Sequence, residues 1–155
     1  LDQGRRPVKL PFFAQRTAVM FKIFAYGTLQ VPEVMRAVTG SVFPSQPARL
    51  HGFARYRIRN RVYPGLRRET GSFTDGVLYE DVSARALKDL DAFEDDFYRR
   101  ETLTVVTRTG IQADAEVYIV PPAHYRLLVR RSWNLEDFKE TWLREFLTHC
   151  RRLSN

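Results

Sequence analysis

The stretch Ser83–Arg100, SARALKDLDAFEDDFYRR, constrains this chain most, because it reads as a capped helix running into a turn. Ser83 suits the N-cap, where its hydroxyl can accept a hydrogen bond from an orphan amide of the first turn. Leu87, Leu90 and Glu94 recur at i, i+3 and i+7, one face of an α-helix. The two leucines require a core beneath them, and Glu94 points where they point. A carboxylate on an apolar face is costly unless it is paired or neutral. Burial lifts its pKa toward the range where one group can both take and give a proton near neutral pH. Glu94 is therefore the leading catalytic candidate. The alternative is a helix that frays or bends before Glu94 and leaves the side chain in water.

The segments on either side predict strands and two further helices. Phe21–Tyr26 (FKIFAY) is apolar and aromatic, a strand that Gly27 ends. Pro32 fits a first helical turn, Val34, Met35 and Val38 share a face, and Gly40 closes that helix. The intervening loop exposes backbone amides near a helix start, a place for an anion. It has neither the glycines nor the lysine of a nucleotide-binding loop. Ala48–Arg59 alternates, with Leu50, Gly52, Ala54, Tyr56 and Ile58 on one side and Arg49, His51, Phe53, Arg55, Arg57 and Arg59 on the other. The second side is either a solvated basic face or a nucleic-acid stripe. Phe53 and Tyr56 fall on opposite sides, so they form no common stacking platform.

Tyr63-Pro64-Gly65 signals a turn, and Ser72–Glu80 a strand with a possible bulge at Gly76. Tyr98–Arg108 and Ala113–Val120 alternate about Thr109-Gly110 as a hairpin, which Pro121-Pro122 ends. Asn134 caps a last helix with the apolar stripe Leu135, Phe138, Trp142, Phe146 and Cys150. This order predicts an α+β domain over residues 20–155 whose strands curl around one or two helices. Leu1–Val19 shows neither period and reads as a flexible tail, with Met20 just ahead of the first strand.

Composition narrows the function. No apolar run approaches the ~18 residues that span a bilayer, so no membrane partner is expected. Cys150 is the single cysteine, which favours a reducing, cytoplasmic setting. His51, His124 and His149 lack partners at ligand spacing, so no metal site is expected and each reads as a surface or helix-end residue. The net charge of +7 attracts anions without choosing among them. The pattern is silent on oligomeric state.

Taken together, Phe24–Leu29 (FAYGTL), Tyr63-Pro64-Gly65, Gly76–Tyr79 (GVLY), Leu90–Glu94 (LDAFE), Tyr98–Arg100 (YRR) and Ala115–Tyr118 (AEVY) resemble, in order, the gamma-glutamyl cyclotransferase-like family. The resemblance implies a small mixed fold built on a β-barrel with packed helices. It also implies intramolecular release of an amine from a γ-glutamyl compound, leaving 5-oxoproline, without metal, nucleotide or redox cofactor. Carried over by position, Tyr26, Gly27, Thr28 and Leu29 hold the substrate, Glu94 is the catalytic carboxylate, Tyr98 and Tyr118 line the site, and Arg100 supports it. By alternation, however, Tyr118 shares a strand side with Asp114 and Glu116, which read as solvent-facing. Leu29 directly after Thr28, and the short Glu94–Tyr98 connection, resemble the branch containing gamma-glutamylamine cyclotransferases. The expected partner is a small γ-glutamyl molecule; the alternatives are a non-catalytic relative binding a small anion and a basic nucleic-acid module.

Overall fold

The computed structural model describes residues 19–154; of the expected tail, all but Val19 lies outside them. The elements run β1 (Met20–Ala25), a 3-10 turn (Thr28–Gln30), α1 (Pro32–Thr39), β2 (Ser45–Ile58), β3 (Pro64–Ser83) and α2 (Ala84–Phe93). They continue with β4 (Arg99–Thr107), β5 (Gln112–Ile119), a second 3-10 turn (Pro122–Leu127), β6 (Leu128–Val129), α3 (Leu135–Thr141) and α4 (Leu143–Ser154). No helix among the described residues is long and apolar enough to cross a membrane.

The sheet order is β3-β1-β5-β4-β2-β6, and β2 also pairs with β3, so five strands form a closed circuit. Antiparallel pairing joins β1 to β3, β2 to β3 and to β4, and β4 to β5, whereas β1 runs parallel to β5. Side chains such as Phe24, Leu50, Phe53, Leu66, Val105 and Val117 fill one core. A second core sets Ile23 and Ala25 of β1 against Val34 and Met35 of α1, Leu87 and Leu90 of α2, Phe138 of α3 and Phe146 of α4. Successive residues of a strand face opposite ways. β1 is thus buried on both faces, which explains its unbroken apolar run. The strands do not curl around a helix. A ring of five is too narrow to hold one, so side chains fill it and the helices pack outside.

Local signals hold where they depend on near neighbours. Ser83 Oγ accepts the Ala86 amide at 3.1 Å, Asn134 Oδ1 accepts that of Asp137 at 3.0 Å, and Gly40 closes α1 at φ 77°. Ser83→Ala is expected to cost about 1 kcal/mol of stability, read from denaturant midpoints. Three features depart from the expected pattern. Pro64 and Gly65 open β3 and are not a turn; the chain reverses at Asn60, in the left-handed region at φ 61°. Gly52, at φ +85°, sits where the β2–β3 register slips between His51 and Phe53. This bulge returns Phe53 to the same side as Leu50, so Phe53 is core and not part of an outward basic face. The last helix is interrupted at Trp142, whose backbone still links both halves through Trp142 N to Phe138 O and Phe146 N to Trp142 O.

Candidate active site

Where β1 ends, Tyr26 turns into the barrel core and its hydroxyl donates to the Tyr118 carbonyl at 2.6 Å. Its own carbonyl accepts Arg55 Nη1 at 2.9 Å. The chain then tightens into the first 3-10 turn. Gln30 N donates to Gly27 O and Val31 N to Thr28 O, while the Tyr79 hydroxyl pins Leu29 O at 2.6 Å. The amides of Gly27, Thr28 and Leu29 precede the first of these turn bonds, the position from which amides can serve an anion.

A Cβ on Gly27 would lie 2.8 Å from Pro64 Cδ. The glycine is thus needed by the protein's own packing. Gly27→Ala should therefore cost roughly 1–3 kcal/mol through overpacking as well as raise KM, whereas Thr28→Ser should change little. Thermal unfolding run beside steady-state kinetics separates the two effects.

Helix α2 stops at Phe93, and Glu94 is its C-cap, with extended backbone at ψ 142° and its amide bonded to Leu90 O at 3.0 Å. The helix thus does end before Glu94, but the residue goes into a cavity and not into open water. That cavity, about 110 Å³, is lined by the Tyr26–Leu29 loop, Tyr63, Pro64, Phe93, Glu94, Asp95, Tyr98, Tyr118, Phe146 and His149. Glu94 as a whole keeps partial exposure at this wall, yet its carboxyl is crowded enough that burial is the main force on it. Burial, reinforced by Asp95 and Asp91, pushes its pKa up to about 8. No described residue donates a hydrogen bond to that carboxyl.

The surrounding hydroxyls are fixed from behind. Tyr98 donates to Pro64 O at 2.6 Å, and Tyr118 to Asp91 Oδ1 at 2.7 Å. Tyr63 donates to Asp95, which also lies 3.9 Å from Arg61 Nε. Burial first, then nearby negative charge, holds Tyr26, Tyr63, Tyr98 and Tyr118 above the usual phenol range, so they stay neutral.

The structure brings Tyr26, Gly27, Thr28, Leu29, Glu94, Tyr98 and Tyr118 to one cavity. Tyr118 does share its strand side with Asp114 and Glu116, but that side is covered at its end, leaving Tyr118 only 5% exposed among the helix-facing core residues. Arg100 is not on the cavity wall. Its Nε and Nη2 fork onto Asp91 at 2.9 and 3.2 Å, and Nη1 reaches Glu116. Its support reaches the site through Asp91 and Tyr118. Sequence reasoning missed Tyr63, Asp95, Phe146 and His149 as wall residues. Asp95 is the sole one with a local signal, as the immediate neighbour of Glu94.

The family model described as "Gamma-glutamyl cyclotransferase, AIG2-like" matches residues 23–139. AIG2-like protein C of Arabidopsis thaliana is 30% identical over 85% of this chain and 77% of its own length. A Methanocaldococcus jannaschii protein named gamma-glutamylcyclotransferase and putative RNase is 29% identical over 64% of this chain and 46% of its own length. Among solved structures, one of an Arabidopsis thaliana protein in solution superposes with a TM-score of 0.65 at 24% identity, covering 86% of this chain and 90% of that one. Another, titled gamma-glutamyl cyclotransferase, gives 0.61 at 18% identity over 86% and 87%. These last two likenesses speak to the fold.

Proposed function

Because the chain belongs to the gamma-glutamyl cyclotransferase, AIG2-like family, we propose that it cyclises a γ-glutamyl amine or γ-glutamyl amino acid to 5-oxoproline with release of the amine. The observation that carries this reading is Glu94, a carboxyl with a pKa near 8 on the wall of a cavity lined by the Tyr26–Leu29 loop. The substrate's α-amine attacks its own γ-carbonyl carbon, forming the ring C–N bond. The reactants are tethered, so binding need only fold them into attack geometry. Glu94 takes the proton that the attacking nitrogen loses. It then returns a proton to the departing nitrogen as the original amide C–N bond breaks. An amine whose pKa is near ~8 and a carboxyl in the same range exchange a proton at little cost. The loop amides of Gly27–Leu29 hold the substrate's α-carboxylate, an anion suited to that turn.

On this reading residues 20–155 act as one domain, the partner is a small molecule, and lone Cys150 fits a reducing cytoplasm. The test is a screen of γ-glutamyl amines and γ-glutamyl amino acids for 5-oxoproline release. A hit that depends on Glu94 supports the reading. A well-folded chain that binds such compounds and turns over none would leave it a non-catalytic binder.

A further inference from the structure

A phenol carries one hydrogen and two acceptor lone pairs. In Tyr98 that hydrogen is committed to the Pro64 carbonyl, in Tyr118 to Asp91, and in Tyr63 to Asp95. In each bond the phenol donates and the carbonyl or carboxylate oxygen accepts. Each of these hydroxyls retains only lone pairs for a ligand. Glu94 and Asp95 add carboxyl oxygens to the same wall. Apart from the Thr28 hydroxyl, the His149 ring and the Glu94 carboxyl, which carries a proton below about pH 8, the cavity's polar side chains are thus set as acceptors.

Tyr118 is held in this role by a designated partner. Asp91, on α2 one turn before Glu94, accepts Tyr118 through Oδ1 and is itself clamped by two nitrogens of Arg100. Arg100 is anchored in turn on Glu116 of β5. Both Arg100 nitrogens donate to Asp91, so it meets Tyr118 as an acceptor.

We propose that Tyr98 and Tyr118 are paired acceptors for a primary ammonium on the ligand, with Asp91 the positioning residue that keeps the Tyr118 hydrogen turned away from it. The cavity then selects ligands by a free ammonium and rejects those in which the nitrogen is missing. Naming that group as the substrate's α-ammonium rests on the γ-glutamyl reading above; the acceptor wiring itself does not.

The test uses ligands that cannot react. L-2-Aminoheptanoate has the chain length, carboxylate and ammonium of a short γ-glutamyl amide but no γ-carbonyl, and heptanoate lacks the ammonium as well. Calorimetric titration of the full chain should show the amine binding at least ~10-fold tighter than heptanoate, the scale of hydrogen bonds to a charged group. Tyr118→Phe and Tyr98→Phe should each shrink that ratio several-fold, with heptanoate affinity unchanged. In Asp91→Asn the side-chain amide can donate to the Tyr118 oxygen and free its hydrogen toward the ligand, so the ratio should fall there too. A merely structural loss would weaken both ligands alike. Equal binding of the two ligands, no binding of the amine, or an unchanged ratio in both phenylalanine variants would overturn the proposal. A preserved ratio in a wild-type chain that turns over no γ-glutamyl compound would overturn the reaction and leave the wiring standing.

Discussion

Glu94→Gln is expected to cut turnover of a responsive γ-glutamyl substrate by at least ~10²-fold, because the amide keeps the shape of the side chain but cannot cycle a proton. The same substitution should leave the fold intact and change its pH dependence. The Glu94 carboxyl titrates near 8 in the folded chain against an ordinary 4.5. Between those values the folded state holds the proton and the unfolded state has lost it, so wild-type stability falls as pH rises through that window. Glutamine has nothing to ionise. The variant should therefore match wild type near pH 4 and exceed it above pH 8 by roughly 2–4 kcal/mol, somewhat less than the full shift in view of the residue's partial exposure. Denaturant unfolding at pH 5 and pH 9 measures this. Near-wild-type turnover in a folded variant would remove Glu94 from the mechanism, and parallel stability curves would show its carboxyl to be ordinarily solvated.

Gly76→Ala should be among the most damaging substitutions to the fold, costing about 3 kcal/mol or more. The end of β1 lies hard against β3 at this glycine. A Cβ there would collide with the Ala25 carbonyl oxygen and sit 2.9 Å from Phe24 Cζ. Neither can yield easily, because Ala25 is paired with Val77 and Phe24 fills the barrel core. Ala25 also leads directly into the Tyr26–Leu29 loop, so activity should fall with stability. Gly71→Ala is the comparison: it has the positive φ of +86° but nothing within 4 Å. Its cost should stay at the ~1–2 kcal/mol of a left-handed alanine. Equal midpoints for the two variants would show that close approach of β1 is not what Gly76 permits.

These residues also show what a one-dimensional pattern can carry. The caps Ser83 and Asn134 and the helix stop at Gly40 were legible because each depends on atoms a few residues away. Glu94 was found through a helical stripe that ends one residue before it, so the stripe predicted the direction of its side chain better than its backbone. Alternation placed Tyr118 on the correct side of β5 but could not tell what covers that side, which depends on the helices packed over it. Phe53 was misplaced because one bulge residue, Gly52, inverts the parity of everything after it. Tyr63, Phe146 and His149 come to the cavity from distant segments. No local period marks such a convergence.

The closed strand circuit has a temporal meaning. The loop that follows β1 is tied to β5 by the Tyr26–Tyr118 bond across 92 positions, and α4 adds Phe146 and His149 to the cavity wall. The β4–β5 hairpin can form early from neighbouring residues, but this cavity exists only after the remotest segments have met, the contacts that loop-closure entropy delays most. A refolding chain would accordingly show hairpin structure before the cavity exists, and on the proposed cyclotransferase reading returning turnover would serve as a clock for closure of the ring.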